Sequence, residues 1–141
     1  MISKIRIINI FSWMVSGLFL LFCSYVNYSL LFGEGDLPQE EVHLDYIMFI
    51  SFGILGVFNL IYGLIQIVEI KNKTKLNSLK IIKVFNLLIC FCNILVSVFI
   101  LIQAYNRKFK LVFCLVCLTV IFTDTFVKYL ERYKANRSFS S

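Results

Sequence analysis

Asp124 is the acidic residue that lies furthest inside an apolar stretch of this sequence. A carboxylate within hydrocarbon is costly, so such a residue is by default a candidate for taking up a proton or a cation. Asn59 and Asn93 occur at comparable depth in two other apolar stretches, and we expect the three side chains to form one polar cluster. Lys128 follows Asp124 by four residues, the favourable order for an ion pair along a helix. Two interpretations stay open: an ion or proton path through Asp124, Asn59 and Asn93, or a structural pair of Asp124 with Lys128.

Cys114 and Cys117 form a Cys-x-x-Cys pair near the start of the last apolar stretch. In this position the pair resembles that of the vitamin K epoxide reductase family, four-helix membrane enzymes that oxidise or reduce thiols with a quinone. The family also carries a second cysteine pair in its first loop, whereas residues 33–43 of this chain contain no cysteine. The resemblance covers this one motif and implies a thiol–quinone oxidoreductase as an alternative function. The two cysteines also fit a packing role, because free cysteines are small, apolar and common in cores.

The composition is typical of a membrane protein. Of the 141 residues, 60% are hydrophobic and the mean hydropathy is +0.85, whereas a soluble domain is nearer half apolar. The net charge of +6 indicates orientation signals and contact with anionic lipid headgroups. Nucleic-acid binding is not expected, because no basic solvated domain is present. All five cysteines fall within apolar runs, so no disulfide framework, metal site or cofactor is predicted.

Four apolar runs are long enough to cross a bilayer as helices. They cover residues 7–32, 44–70, 81–104 and 111–130. The chain is therefore predicted to be all-α: a single integral membrane domain that forms a four-helix bundle of up-down-up-down topology with short loops. Residues 131–141 are basic and then Ser-rich, and we expect a mobile cytoplasmic tail there.

Small and amide residues recur on one face of each predicted helix. In the second run they follow one another at spacings of three and four, so they share a face. In lipid, small residues let helices approach closely and amides hydrogen-bond across the contact. The predicted helix-packing residues are Ser16, Gly53, Gly56, Asn59, Gly63, Gln66, Asn86, Asn93 and Ser97. Trp13 is instead expected at a membrane interface, where indole rings are enriched.

The distribution of basic residues predicts that both termini face the cytoplasm. That side would carry two Lys or Arg in residues 1–6, five in residues 71–83 and four in residues 128–137. The opposite side would carry three, all in residues 107–110. Because basic residues accumulate on the cytoplasmic side of membrane proteins, this asymmetry fixes the predicted orientation.

The function predicted from these features is non-enzymatic and depends on helix–helix contacts. Nearly every residue serves spanning, packing or orientation, and little polar surface remains for a substrate. An accessory subunit, a trafficking or membrane-organising tetraspan, or an immunity-type protein that blocks a toxin would fit, and the layout is similar to that of MARVEL-type tetraspans in span count. The expected partners are the bilayer, anionic lipids at the cytoplasmic face, and other membrane proteins or a second copy. The main alternative is a small transporter or channel subunit that uses Asp124 with Asn59 and Asn93.

Overall fold

A computed structural model describes residues 2–33, 39–73, 79–103 and 107–139 of the chain. These residues form four long helices: α1 (Ile2–Phe32), α2 (Gln39–Asn72), α3 (Lys80–Gln103) and α4 (Arg107–Phe139). No strand occurs within the described ranges. Each helix contains a segment of 23 to 29 residues that is long and apolar enough to cross a membrane. The prediction of an all-helical chain with four membrane-length helices is confirmed.

Polar contacts between α1 and α2 show that these neighbours run antiparallel. Asn9 bonds Gln66, whereas Ser16, further along α1, bonds Asn59, further back along α2. Each helix packs on its neighbour in sequence, and α4 closes the bundle against α1. The start of α1 and the end of α4 therefore meet at one end of the bundle, which we call the terminal end.

The helix α2 begins earlier than the sequence predicts. It starts at Gln39, so residues 39–43 of the predicted acidic loop belong to the helix. At its other end Lys73 has a φ of 52°, the left-handed conformation that commonly terminates a helix.

The helix α4 continues further than the sequence predicts. Residues 131–141 are predicted to be a tail beyond the fourth span, whereas the helix reaches Phe139. An ion pair of 2.5 Å between Arg6 and Glu131 joins this extension to the start of α1. The mobility of the tail stays a prediction. The predicted loop residues 34–38, 74–78 and 104–106 lie outside the described part of the chain.

The most extensive helix contact is that between α1 and α2, and glycines permit it. A Cβ added to Gly56 would lie 3.0 Å from the carbonyl oxygen of Gly17 and 3.1 Å from the backbone nitrogen of Leu21. A Cβ added to Gly17 would lie 2.7 Å from the Cγ of Leu60. Helices this close exclude larger residues, as expected of small-residue packing in lipid. We call this contact, formed by Gly17, Gly56 and Gly63, the glycine seam.

Trp13 lies in the core of the bundle, and its position at a membrane interface stays a prediction. Its side chain is fully buried, and its ring packs edge-on against Tyr62 with the centroids 4.8 Å apart. The rings of Phe52 and Phe113, 5.1 Å apart, form a further pair in the core. A buried indole N–H usually finds a hydrogen-bond acceptor, and here the acceptor is the carboxylate of Asp124.

Gly56→Ala is expected to destabilise the bundle by about 1–3 kcal/mol, the usual cost of overpacking. The added methyl group would meet backbone atoms of α1, which cannot move unless the two helices separate. Gly63→Ala is the matched control, because its methyl group would first meet the flexible side chain of Met14, with Sδ at 2.8 Å. We expect a smaller loss there. Unfolding in mixed detergent with increasing dodecyl sulfate measures both, and equal stability of Gly56→Ala and the unaltered chain would contradict the seam.

Candidate functional site

The carboxylate of Asp124 collects hydrogen bonds from three helices. Its Oδ1 accepts from Asn9 Nδ2 at 3.3 Å and from Trp13 Nε1 at 3.4 Å, both on α1. Its Oδ2 accepts from Asn86 Nδ2 on α3 at 3.2 Å and from Lys128 Nζ on α4 at 2.6 Å. Asp124 is only 3% exposed, so these four donors replace the water that a carboxylate otherwise requires. We call the group the Asp124 cluster; its members are Asn9, Trp13, Gln66, Asn86, Asp124 and Lys128.

The acceptors within the Asp124 cluster are bonded as well. Asn9 Oδ1 accepts from the hydroxyl of Thr123 at 3.1 Å, and Asn86 Oδ1 accepts from the Lys128 ammonium group. Gln66 Oε1 accepts from Asn9 Nδ2 at 3.1 Å, which joins α2 to the group. The Lys128 side chain is half-exposed, and its ammonium group neutralises the buried carboxylate from the edge of the cluster. All four helices thus contribute a polar side chain at one level of the bundle.

A second polar group, the asparagine layer, is formed by Ser16, Asn59 and Asn93. Asn59 Nδ2 donates to Asn93 Oδ1 at 3.3 Å, and Asn93 Nδ2 donates to Asn59 Oδ1 at 3.1 Å. Asn59 Nδ2 also donates to Ser16 Oγ at 3.0 Å. All three side chains are fully buried. The reciprocal amide bonds join α2 to α3, and the bond to Ser16 adds α1. All of them lie where no solvent competes for the hydrogen bonds.

On α1, α2 and α3 the members of the two polar groups are separated by seven residues. The pairs are Asn9 and Ser16 on α1, Gln66 and Asn59 on α2, and Asn86 and Asn93 on α3. Seven residues advance a helix by about 10 Å and return to the same face. Because neighbouring helices are antiparallel, these residues meet at two common levels.

The structure brings some of the predicted site residues together and separates others. Asn59 and Asn93 bond each other, but Asp124 bonds partners at the other level, so the expected single cluster of these three is two groups. The Asp124–Lys128 pair is present. The predicted packing residues Ser16, Gly56, Asn59, Gly63, Gln66, Asn86, Asn93 and Ser97 are buried, and Gly53 is half-buried.

Cys114 and Cys117 lie on the inner face of α4 as free thiols. Cys117 is fully buried and Cys114 is nearly so. The Sγ of Cys114 donates to the carbonyl oxygen of Ser97 on α3 at 3.8 Å. Both thiols therefore sit in the packing face of α4, and a redox role for them stays a prediction.

Three residues that take part in the polar contacts of the core are not predicted from the sequence: Asn9, Trp13 and Thr123. A signal for Asn9 is present, because it precedes Ser16 by seven residues and so lies on the same face of α1. Trp13 lies four residues after Asn9 on that face, but its amphipathic ring equally suits an interface. Nothing in the sequence marks Thr123, whose hydroxyl also bonds the carbonyl of its own helix at Val120.

The donors around Asp124 limit what the cluster can bind. Both carboxylate oxygens are occupied by N–H donors, so a cation would have to displace them. Gln66 Nε2 is buried and has no hydrogen-bond partner among the described residues. It is a donor, so it could not bind a cation. Within the described ranges, no three His, Cys, Asp or Glu side chains are grouped to hold a metal ion. The geometry favours a structural, charge-paired carboxylate over a cation site.

No protein-family model, curated protein or solved structure matches this chain. Its function is therefore inferred from the arrangement of its own residues. Four apolar helices of membrane length are compatible with a small polytopic membrane protein.

Lys128→Met is expected to destabilise the bundle by about 3 kcal/mol, because it leaves the buried Asp124 carboxylate without its counter-charge. Adding Asp124→Asn removes that charge, and the double variant should recover part of the loss. Thermal unfolding in detergent compares the two variants. If the double variant is less stable than Lys128→Met alone, Lys128 does not stabilise the bundle by neutralising Asp124.

A double-mutant cycle on Asn59→Ala and Asn93→Ala is expected to give a coupling of about 0.6–1.7 kcal/mol, the range measured for hydrogen bonds between membrane helices. The matched control cycle combines Asn59→Ala with Asn86→Ala, one level away on the same helix α3. That cycle should be additive within about 0.5 kcal/mol. Equal coupling in both cycles would show that the reciprocal amide bonds have no specific role.

Proposed function

We propose that this chain is a small four-span membrane protein that acts by binding other membrane proteins through the outer faces of its helices, as an accessory or organising subunit. The observation that carries the proposal is the closed polar core. Asp124 is paired with Lys128, and Asn59 and Asn93 bond each other. A core whose polar groups are bonded to one another leaves the outer surface as the part that meets a partner.

The outer faces of the helices support this proposal. Large apolar side chains such as Leu87 and Phe91 on α3 and Phe122 on α4 are more than half exposed. The span of α3 is the least buried of the four, and its contact with α2 is the smallest in the bundle. Exposed apolar surface of this extent is covered by lipid or by another protein. We therefore place the partner against α3.

We further propose that both termini face the cytoplasm. The start of α1, the end of α2, the start of α3 and the end of α4 lie at the terminal end. Lys4, Lys71, Lys83 and Arg132 are exposed there. A bundle end rich in Lys and Arg faces the cytoplasm in most membrane proteins.

Site-specific photo-crosslinking in intact cells tests the contact function. A photoreactive residue at Leu88 on the outer face of α3 is expected to give a discrete adduct, because this face would touch the partner. The control positions are Phe11 on the outer face of α1 and Ile89, which is buried in the core; neither should give that adduct. An adduct of twice the chain's mass would identify a second copy. If Leu88 gives no discrete adduct, the proposal for α3 fails.

Asp124→Asn separates this proposal from a transport function. A contact role predicts that the adduct at Leu88 persists in the variant, because Asp124 does not reach the outer face. A proton- or cation-coupled function predicts loss of ion uptake by proteoliposomes that contain the variant. Uptake that requires Asp124, with no adduct at Leu88, would replace the contact function with transport.

A further inference from the structure

A groove opens between α1 and α2 at the terminal end of the bundle. Its walls are four isoleucines, Ile7 and Ile10 from α1 and Ile67 and Ile70 from α2, and Lys71 completes the lining. The groove has a volume of about 300 Å³. It is therefore an apolar slot with a cation at one end.

The groove lies where the glycine seam ends. At Gly17 and Gly56 the two backbones are too close to admit another atom between them. Towards the terminal end the same two helices present Ile10 and Ile67 instead, and these line the groove. The groove thus lies where isoleucine replaces glycine along this helix pair.

A second lysine lies at the level of Lys71. Asn9 of α1 bonds Gln66 of α2, and Lys4 precedes Asn9 by as many residues as Lys71 follows Gln66. The antiparallel register therefore places Lys4 at the same level of the bundle as Lys71, but Lys4 is not part of the groove lining, so Lys71 is the cation of the groove. Both side chains are exposed, and among the described residues the lining includes no acidic side chain.

We propose that this groove binds one anionic phospholipid. An acyl chain lies along the four isoleucines, and the phosphate of the headgroup is held by Lys71. A slot that is apolar along its length and cationic at its mouth matches the two parts of such a lipid, since lysines near a membrane surface attract anionic headgroups. The proposal extends beyond protein–protein contact, and it concerns the face of the bundle formed by α1 and α2, away from α3.

A groove of similar size between α2 and α3 provides an internal comparison. It has a volume of about 290 Å³ and is lined by residues such as Met48, Phe52, Leu95 and Phe99. Among the described residues, its lining includes no charged side chain. A lipid chain in this groove would have no headgroup partner there, so only the groove at Lys71 should select for lipid charge.

Native mass spectrometry of the full chain tests the site. The chain is released from nanodiscs that contain phosphatidylcholine and phosphatidylglycerol, and its lipid adducts are counted. We expect one phosphatidylglycerol to be retained in preference to phosphatidylcholine. Lys71→Gln should weaken this retention by about fivefold. Lys80→Gln, at the start of α3 at the same end of the bundle, is the matched control and should leave retention unchanged.

A second pair of variants tests the apolar slot. Ile67→Trp fills the groove while Lys71 remains, and it should abolish the retained lipid. Leu88→Trp places the same side chain on the outer face of α3 and should have no effect. Glycerol phosphate, which has the anionic group but no acyl chain, should not displace the lipid.

Several results would overturn the proposal. Equal losses for Lys80→Gln and Lys71→Gln would show general attraction to a basic surface. Retention in Ile67→Trp would show that no chain occupies the groove, and displacement by glycerol phosphate would identify a phosphate site. Absence of any preference for phosphatidylglycerol would contradict the lipid site. An unchanged crosslink at Leu88 in the same variants would show that the protein-contact function does not depend on this site.

Discussion

The bonding of one buried carboxylate constrains most of this structure. Asp124 can remain charged inside an apolar bundle only if donors replace its hydration. Lys128 supplies one donor from its own helix, and the others come from α1 and α3. Because each donor must reach the carboxylate, the rotation of these helices about their own axes is restricted. Gln66, bonded through Asn9, extends the restriction to α2.

Polar residues recur seven residues apart along the helices. This repetition extends the requirement that donors reach Asp124 into a register for the whole bundle. A hydrogen-bonded group at a single level would fix which faces meet, but helices could still tilt about it. The asparagine layer supplies a second level about 10 Å away. Buried polar residues are the best-attested device for fixing the register of packed helices. The glycine seam adds a close backbone contact between α1 and α2, so that pair is the most tightly held.

The polar core and the outer surface have different roles. Polar groups in the core are bonded mainly to one another, which specifies a single arrangement but leaves little free for a ligand. The outer surface of α3 is largely apolar, whereas the groove at the terminal end between α1 and α2 combines apolar walls with a lysine. Recognition of a partner or a lipid would therefore take place at the periphery, with the rigid core as its scaffold.

The sequence by itself determined the number of helices, their apolar lengths and the face that each turns inward. Length and hydropathy define a span, and spacings of three, four and seven define a face, so Gly56, Asn59 and Asn93 could be assigned in advance. Only the tertiary structure decided which faces meet at which level. Spacing along one helix contains no information on the axial offset of its neighbour, and that offset separates Asp124 from Asn59 and Asn93. The same offset brings Trp13 to Asp124, where its buried indole N–H finds an acceptor that no spacing along α1 could identify.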